Sequence, residues 1–171
     1  MVLSLLLHGT LSLGKNYQLS KIKDQMKYIN KDFALKISTA VLFLAGIMDL
    51  IRGFMHTFNI RYAAEKFAKI ELSSDSLVLM TAFGISNFLT GFLFLLIVWK
   101  VQKIAPYVLA LIPFCYFIGS LGMRYSNVVM ESEFNGQYMM AIYLTICLFT
   151  ALFYFITAAI DKRKLTQTSI S

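Results

Sequence analysis

The sequence predicts an all-α polytopic membrane protein, built as a bundle of four transmembrane helices. Of its 171 residues, 58% are hydrophobic and 15% are charged, whereas soluble domains are about 45–50% apolar and about 25% charged. Four apolar runs approach the roughly 20 residues that an α-helix needs to cross the hydrocarbon core. These runs are 37–58, 77–99, 104–123 and 138–160. We therefore expect one bundle over residues 37–160, between an N-terminal arm, 1–36, and a C-terminal tail, 161–171.

The sequence of the N-terminal arm predicts a helix on the membrane surface rather than a fifth membrane span. Its first 14 residues, MVLSLLLHGTLSLG, begin like a signal sequence but have no basic first segment and no small-residue cleavage site. We expect them to be retained, although processing stays open. Between Tyr17 and Ile37, apolar residues recur mostly at three- and four-residue steps and lysines occupy the other faces. This pattern is typical of a basic amphipathic helix on a membrane surface, and the alternative is a solvated, partly disordered arm.

The first predicted span carries three ionisable residues, Asp49, Arg52 and His56, in the stretch MDLIRGFMH. Their spacing of three and four residues places them on one face of a helix. An Asp or Arg near the centre of a span costs about 2.5–3.5 kcal/mol on the insertion scale. We therefore expect this face to turn toward the neighbouring spans, where the charges can pair or meet water.

The loop after the first span, NIRYAAEKFAKIELSSD, has apolar residues at helical spacing and then serines suited to cap the next span. It predicts a short interfacial helix. The second span carries Asn87, with Ser86 and Thr90 beside it, near the depth of Asp49. Gly84 and Gly91, one heptad apart on the same span, would allow a neighbouring helix to approach closely.

The third span ends in LGMRYSN, which places Arg124 at the outer level of Arg52 and His56. The sequence thus predicts a polar pocket that opens to the extracytoplasmic side. The pocket is lined by Asp49, Arg52, His56, Asn87 and Arg124.

Each member of this predicted pocket has a structural alternative. Asp49 and Arg52 also fit a neutralising pair that locks the bundle, and His56 fits a hydrogen-bonded residue near the interface. Asn87 also fits an interhelical hydrogen bond, and Arg124 fits an anchor at the end of a span. One histidine beside one aspartate supplies too few ligands for a metal site, and we identify no catalytic residue.

The distribution of positive residues predicts the orientation. Eleven lie on one side of the spans and four on the other, so the positive-inside rule predicts that both termini are cytoplasmic. The membrane is expected to be a bacterial inner membrane or its equivalent. Because the net charge of +7 is spread around the spans, we do not expect nucleic-acid binding. The eleven are Lys15, Lys21, Lys23, Lys27, Lys31, Lys36, Lys100, Lys103, Lys162, Arg163 and Lys164, and the four are Arg61, Lys66, Lys69 and Arg124.

Three stretches, GIMDLIRGFMHTF, RYAAEKF and AFGISNFLTG, together with the four spans, resemble the small four-helix membrane proteins of the DoxX-like kind. The resemblance covers residues 37–160. Some members of that group are similar to subunits of quinone-linked oxidoreductases, so the resemblance implies a bundle and an association with membrane redox chemistry. It carries over no catalytic residue.

Three functions fit these observations. The first expectation is a non-catalytic accessory subunit of a larger membrane complex, which the resemblance would make quinone-linked. The alternative is a binding protein whose pocket accepts a small amphiphile, a quinone or a lipid headgroup. An intramembrane enzyme with His56 or Asp49 exchanging protons is the third. We expect protein partners or a second copy within the bilayer, and the sequence leaves the cofactor and the oligomeric state open.

Overall fold

A computed structural model describes residues 31–127 and 136–168, which are helical apart from short connections and contain no strand. Four of the described helices are long and apolar enough to cross a membrane, which confirms the predicted fold class at this level. The α-helices are α1, Lys31–Phe58; α2, Ile60–Ala63; α3, Ser74–Lys100; α4, Ala105–Tyr125; and α5, Gly136–Thr168. The π-helical turn Ala64–Ala68 follows α2, and the 3-10 turn Gln102–Ile104 precedes α4.

The long helices extend beyond the apolar runs that predict them. α1 begins at Lys31 rather than at residue 37, and α5 continues past residue 160 to Thr168. Hydrophobicity marks the part of a helix that can lie in hydrocarbon, whereas lysine and arginine are good helix formers that continue a helix into water. Residues 31–36 of the predicted arm therefore belong to α1. The amphipathic helix predicted before them falls on residues outside those that the structure describes.

The connection between α1 and α3 contains α2 and the π-helical turn, and it ends with Lys69 in the left-handed region at φ 50°. Its buried residues are three alanines, Ala63, Ala64 and Ala68. Ser73 is the N-cap of α3, since its hydroxyl accepts a hydrogen bond from the Ser76 backbone N–H at 3.2 Å. The predicted location of this helical segment at the outer membrane surface stays a prediction.

α1 is the central helix of the bundle, because it packs against α3, α4 and α5, while α4 also pairs with α5. We name the two ends of the bundle by their connections. The basic end holds the start of α1, the Lys100–Lys103 connection and Asp161 of α5; the loop end holds α2 and the end of α4 at Tyr125. At the basic end, the Lys31 backbone N–H donates to Asp161 Oδ2 at 2.8 Å, which ties α1 to α5.

The buried core contains seven residues from all four long helices. Beyond Pro113 in the interior of α4, residues 114–127 are exposed. The loop-end half of α4 therefore makes little contact with the rest of the bundle. The core residues are Leu42, Ala45, Phe94, Ala105, Leu109, Cys147 and Ala151.

Glycines bring α1 and α3 close to backbone contact. A Cβ placed on Gly91 would lie 2.9 Å from the carbonyl oxygen of Gly46, and one on Gly84 would lie 3.0 Å from the backbone carbon of His56. Real Cβ atoms essentially never show contacts under 3.0 Å, and a contact of 3.0 Å is tighter than nine in ten real Cβ contacts. Gly84 and Gly91 thus permit the close approach that the sequence predicts, and this approach determines which side chains of α1 and α3 meet.

Candidate functional site

Asp49 is buried, with 5% of its surface exposed, between α1 and α3. Its Oδ2 accepts a hydrogen bond from Thr90 Oγ1 at 3.0 Å, and its Oδ1 lies 3.5 Å from Arg52 Nη1. The Thr90 hydroxyl also lies 3.1 Å from the Asn87 carbonyl oxygen, but a carboxylate is the stronger acceptor for its single hydrogen. Both oxygens of Asp49 therefore have a partner, and one of these partners is on the neighbouring helix.

Arg52 links this pair to the other side of the bundle. Its guanidinium carbon lies 5.8 Å from the centre of the Tyr143 ring of α5, within the range of a cation–π interaction. The side chain of Arg52 is 19% exposed and that of Asp49 is 8% exposed. Because neither charge is fully solvated, removing one would leave the other without compensation. The pair therefore connects α1 with α3 through Thr90 and with α5 through the Tyr143 ring.

His56 and Asn87 form a second polar contact across the interface of α1 and α3. The Asn87 amide nitrogen Nδ2 lies 3.4 Å from His56 Nδ1, and Asn87 is buried. With the Asn87 amide nitrogen nearest the ring, Asn87 donates and His56 Nδ1 accepts, which corresponds to the neutral tautomer with its hydrogen on Nε2. The Phe83 ring lies beside the imidazole, with ring centres 5.5 Å apart. The Nε2–H is thus the donor that His56 has left for a further partner.

A groove of about 340 Å³ lies next to His56, where α1 ends and α3 begins. We call it the loop-end groove. Its walls are mainly apolar, and its polar groups are those of His56 and Ser76. Ligand pockets span about 300–1,000 Å³, so this groove suits a small ligand. Its lining residues are His56, Ala68, Ile70, Ser76, Leu79, Met80 and Phe83.

The structure brings together four of the five residues predicted to line a pocket. Asp49 and Arg52 contact each other, and His56 contacts Asn87 one to two turns nearer the loop end. Only His56 of the four lines the loop-end groove. Arg124 is exposed near the end of α4, where its side chain makes no hydrogen bond or ion pair with the described residues. Its place in a pocket with the other four stays a prediction.

Sequence reasoning missed Tyr143 and the apolar wall of the loop-end groove. A signal for Tyr143 was present: it lies five residues into the run 138–160, and Arg52 lies six residues before the end of the run 37–58. At 1.5 Å per residue these positions share a depth. Whether the Tyr143 ring faces the Arg52 guanidinium also depends on how α5 is rotated about its own axis. The sequence pattern does not predict that rotation.

Among the side chains described, no three histidine, cysteine, aspartate or glutamate residues lie close enough together to hold a metal ion. No protein-family model, curated protein or solved structure matches the chain.

Proposed function

We propose that this chain is a membrane-embedded binding protein for a small amphiphile, which lies in the loop-end groove. The observation that carries the proposal is the setting of His56. This residue lines the groove, and its Nδ1 already accepts from Asn87. The remaining Nε2–H would donate to a carbonyl or ester oxygen of the ligand, as in the sparse polar contacts that orient ligands in apolar pockets.

The shape of the groove supports an amphiphile over a fully polar ligand. Leu79, Met80 and Phe83 of α3 supply an apolar wall, and Ile70 closes it from the loop. An amphiphile in the bilayer leaves lipid rather than water, so the wall would hold its alkyl chain or ring by van der Waals packing. The resemblance to DoxX-like proteins implies quinone-linked chemistry, so a quinone is the first ligand to test.

The ion pair of Asp49 and Arg52 would act on this site indirectly. Asp49 holds α3 through Thr90, and Asn87 lies one turn before Thr90 on that helix. The pair would thereby keep Asn87 at the distance from which it orients the His56 ring. In this proposal Asn87 is a positioning residue, and His56 is the residue that touches the ligand.

Binding of a decyl-substituted benzoquinone to the purified protein in lipid nanodiscs tests the proposal. Leu79→Trp adds bulk to the wall of the groove, and Leu89→Trp makes the same change on α3 outside the groove, at similar exposure, 72% and 71%. We expect Leu79→Trp to weaken binding at least tenfold and Leu89→Trp to leave it unchanged. Equal affinities of the two variants would contradict the proposed site.

The role of His56 needs a separate pair of variants. His56→Leu removes the donor and should weaken binding about three- to tenfold, the effect of one neutral hydrogen bond. His56→Gln keeps an N–H donor at similar reach and should recover part of the loss. If both variants bind the quinone as tightly as the wild-type protein, the donor role of His56 is excluded even when the groove itself is correct.

An accessory subunit of a larger membrane complex is the second candidate function. The loop-end half of α4 favours it, because a Cβ placed on Gly119 or Gly122 would meet no atom within 4 Å and the residues around them are exposed. A partner helix could pack closely there. Extraction in a mild detergent followed by native mass measurement distinguishes the two functions, since a monomer or simple homodimer argues against a hetero-complex.

A further inference from the structure

A second groove, of about 510 Å³, lies at the basic end of the bundle, on the surface shared by α1 and the end of α3. We call it the basic-end groove. It does not include any residue of the loop-end groove or of the Asp49 network. Its lining residues are Lys36, Thr39, Ala40, Phe43, Leu44, Val98 and Gln102.

The groove has a gradient of polarity along α1. Lys36, Ala40 and Leu44 are spaced by four residues and form one stripe about 12 Å long. The stripe begins with an ammonium group at the basic end and becomes apolar toward the middle of the span. This order matches a phospholipid, whose headgroup lies at the membrane surface and whose acyl chains extend inward.

Side chains next to the groove place the membrane surface at the level of its polar end. Trp99 follows the lining residue Val98, and Lys100 Nζ lies 3.8 Å from the centre of the Trp99 ring. Tryptophan and lysine together are typical of the interface between hydrocarbon and headgroups. Gln102 and Lys36 are therefore expected at the headgroup level, and Leu44 at the level of the acyl chains.

The charge at this end favours an anionic headgroup. Asp161 already accepts from the Lys31 backbone N–H, and Lys36 has no carboxylate within ion-pair distance among the described residues. Basic pockets between spans are recognised sites for acidic lipid headgroups. The described side chains at the basic end include five lysines and two aspartates, which are Lys31, Lys36, Lys100, Lys103, Lys162, Asp32 and Asp161.

We propose that the basic-end groove binds one anionic phospholipid, with its phosphate at Lys36 and an acyl chain along Ala40, Phe43 and Leu44. The competing occupant is the arm that precedes α1 in the sequence, residues 1–30. The arm carries four lysines and a single acid, Asp24. Its charge has the same sign as that of the groove, so electrostatics favours the lipid over the arm.

Native mass spectrometry of the full chain, titrated in detergent with dioleoyl phosphatidylglycerol or dioleoyl phosphatidylcholine, tests the charge preference. We expect tighter binding of phosphatidylglycerol. Lys36→Gln should weaken it about fivefold, the effect of one lysine near an anionic lipid, and should leave phosphatidylcholine unchanged. Lys66→Gln makes the same change of charge in the loop after α1 and serves as the matched control. Equal binding of the two lipids by the wild-type protein, or equal losses in the two variants, would overturn the proposal.

The identity of the occupant is tested in membranes. A photoreactive benzophenone side chain replaces Leu44, and the full chain is reconstituted in vesicles with three parts phosphatidylcholine to one part phosphatidylglycerol. We expect cross-linked phosphatidylglycerol in excess of its share in the vesicles. Cross-links to residues 1–30, or lipid adducts in the proportion of the vesicles, would refute a specific anionic site. Neither result bears on quinone binding at the loop end.

Discussion

Substitution of Gly91 by alanine measures how much of the bundle depends on the close approach of α1 and α3. The new Cβ would lie 2.8 Å from Leu50 Cδ2 and 2.9 Å from the Gly46 carbonyl oxygen. Leu50 can change rotamer, but the carbonyl belongs to the backbone of α1. Ordinary van der Waals contacts begin at 3.4 Å. To bring the distance from the new Cβ to the Gly46 carbonyl oxygen from 2.9 Å to 3.4 Å, the two helices must separate by about 0.5 Å.

Separation of this kind resembles overpacking of a core, which costs about 1–3 kcal/mol. In a helix, alanine is also more stabilising than glycine by about 0.5–1 kcal/mol. This gain offsets part of the cost of separating the helices. Gly119→Ala is the matched control, since its Cβ would meet nothing within 4 Å. We therefore expect Gly91→Ala to be about 1–3 kcal/mol less stable than Gly119→Ala.

Reversible unfolding in mixed detergent micelles, followed through the single tryptophan, Trp99, would give both free energies of unfolding. Because the bond from Thr90 to Asp49 crosses the same interface, Gly91→Ala and Thr90→Val should be non-additive in a double-mutant cycle. Equal stabilities of Gly91→Ala and Gly119→Ala would show that the glycine contact contributes nothing and would refute the reasoning.

Three further predictions concern polar contacts, each measured by the same unfolding assay. Asp49→Asn should destabilise the fold by less than the 3–5 kcal/mol expected when one partner of a fully buried ion pair is removed, because Arg52 is partly exposed. Adding Arg52→Gln to this variant should recover stability, since no uncompensated charge remains. A further loss of stability in the double variant would contradict this prediction. Thr90→Val should cost about 1–3 kcal/mol by removing a donor to the buried carboxylate, whereas Thr90→Ser should stay near the wild type. Asp161→Ala removes the acceptor of the Lys31 N–H and should cost about 0.5–2 kcal/mol, whereas Asp161→Asn keeps an acceptor oxygen and should stay near the wild type. Full stability of Asp161→Ala would show that this bond does not hold α1 to α5.

Helix periodicity and depth explain what could be predicted from the sequence. The steps of three and four residues between Asp49, Arg52 and His56 determine a shared face, since that relation is local to one helix. Consecutive spans run in opposite directions, so counting residues from the loops predicts that Ser86, Asn87 and Thr90 lie near the depth of Asp49. In the structure Thr90 bonds Asp49, and Asn87 reaches His56 instead.

The position of Arg124 and the two grooves depend on lateral distances between helices, which depth and periodicity do not predict. Arg124 was assigned to the pocket by its level, but level does not determine lateral distance, and α4 has few contacts beyond Pro113. The two grooves form from side chains far apart in the sequence, such as His56 with Leu79 and Lys36 with Gln102. Whether such residues leave space between them depends on the packing of whole helices.

The contacts that hold the bundle together are unevenly distributed among its helices. α1 and α3 are held together by glycine contacts and by the bond between Thr90 and Asp49, so His56 of α1 is held close to the α3 wall of the loop-end groove. The buried residues of α4 are Ala105, Pro106 and Leu109, which lie in its basic-end half. Arg52 lies between Asp49 of α1 and the Tyr143 ring of α5. It thus connects the contact between α1 and α3, made by the bond from Thr90 to Asp49, with the contact between α1 and α5.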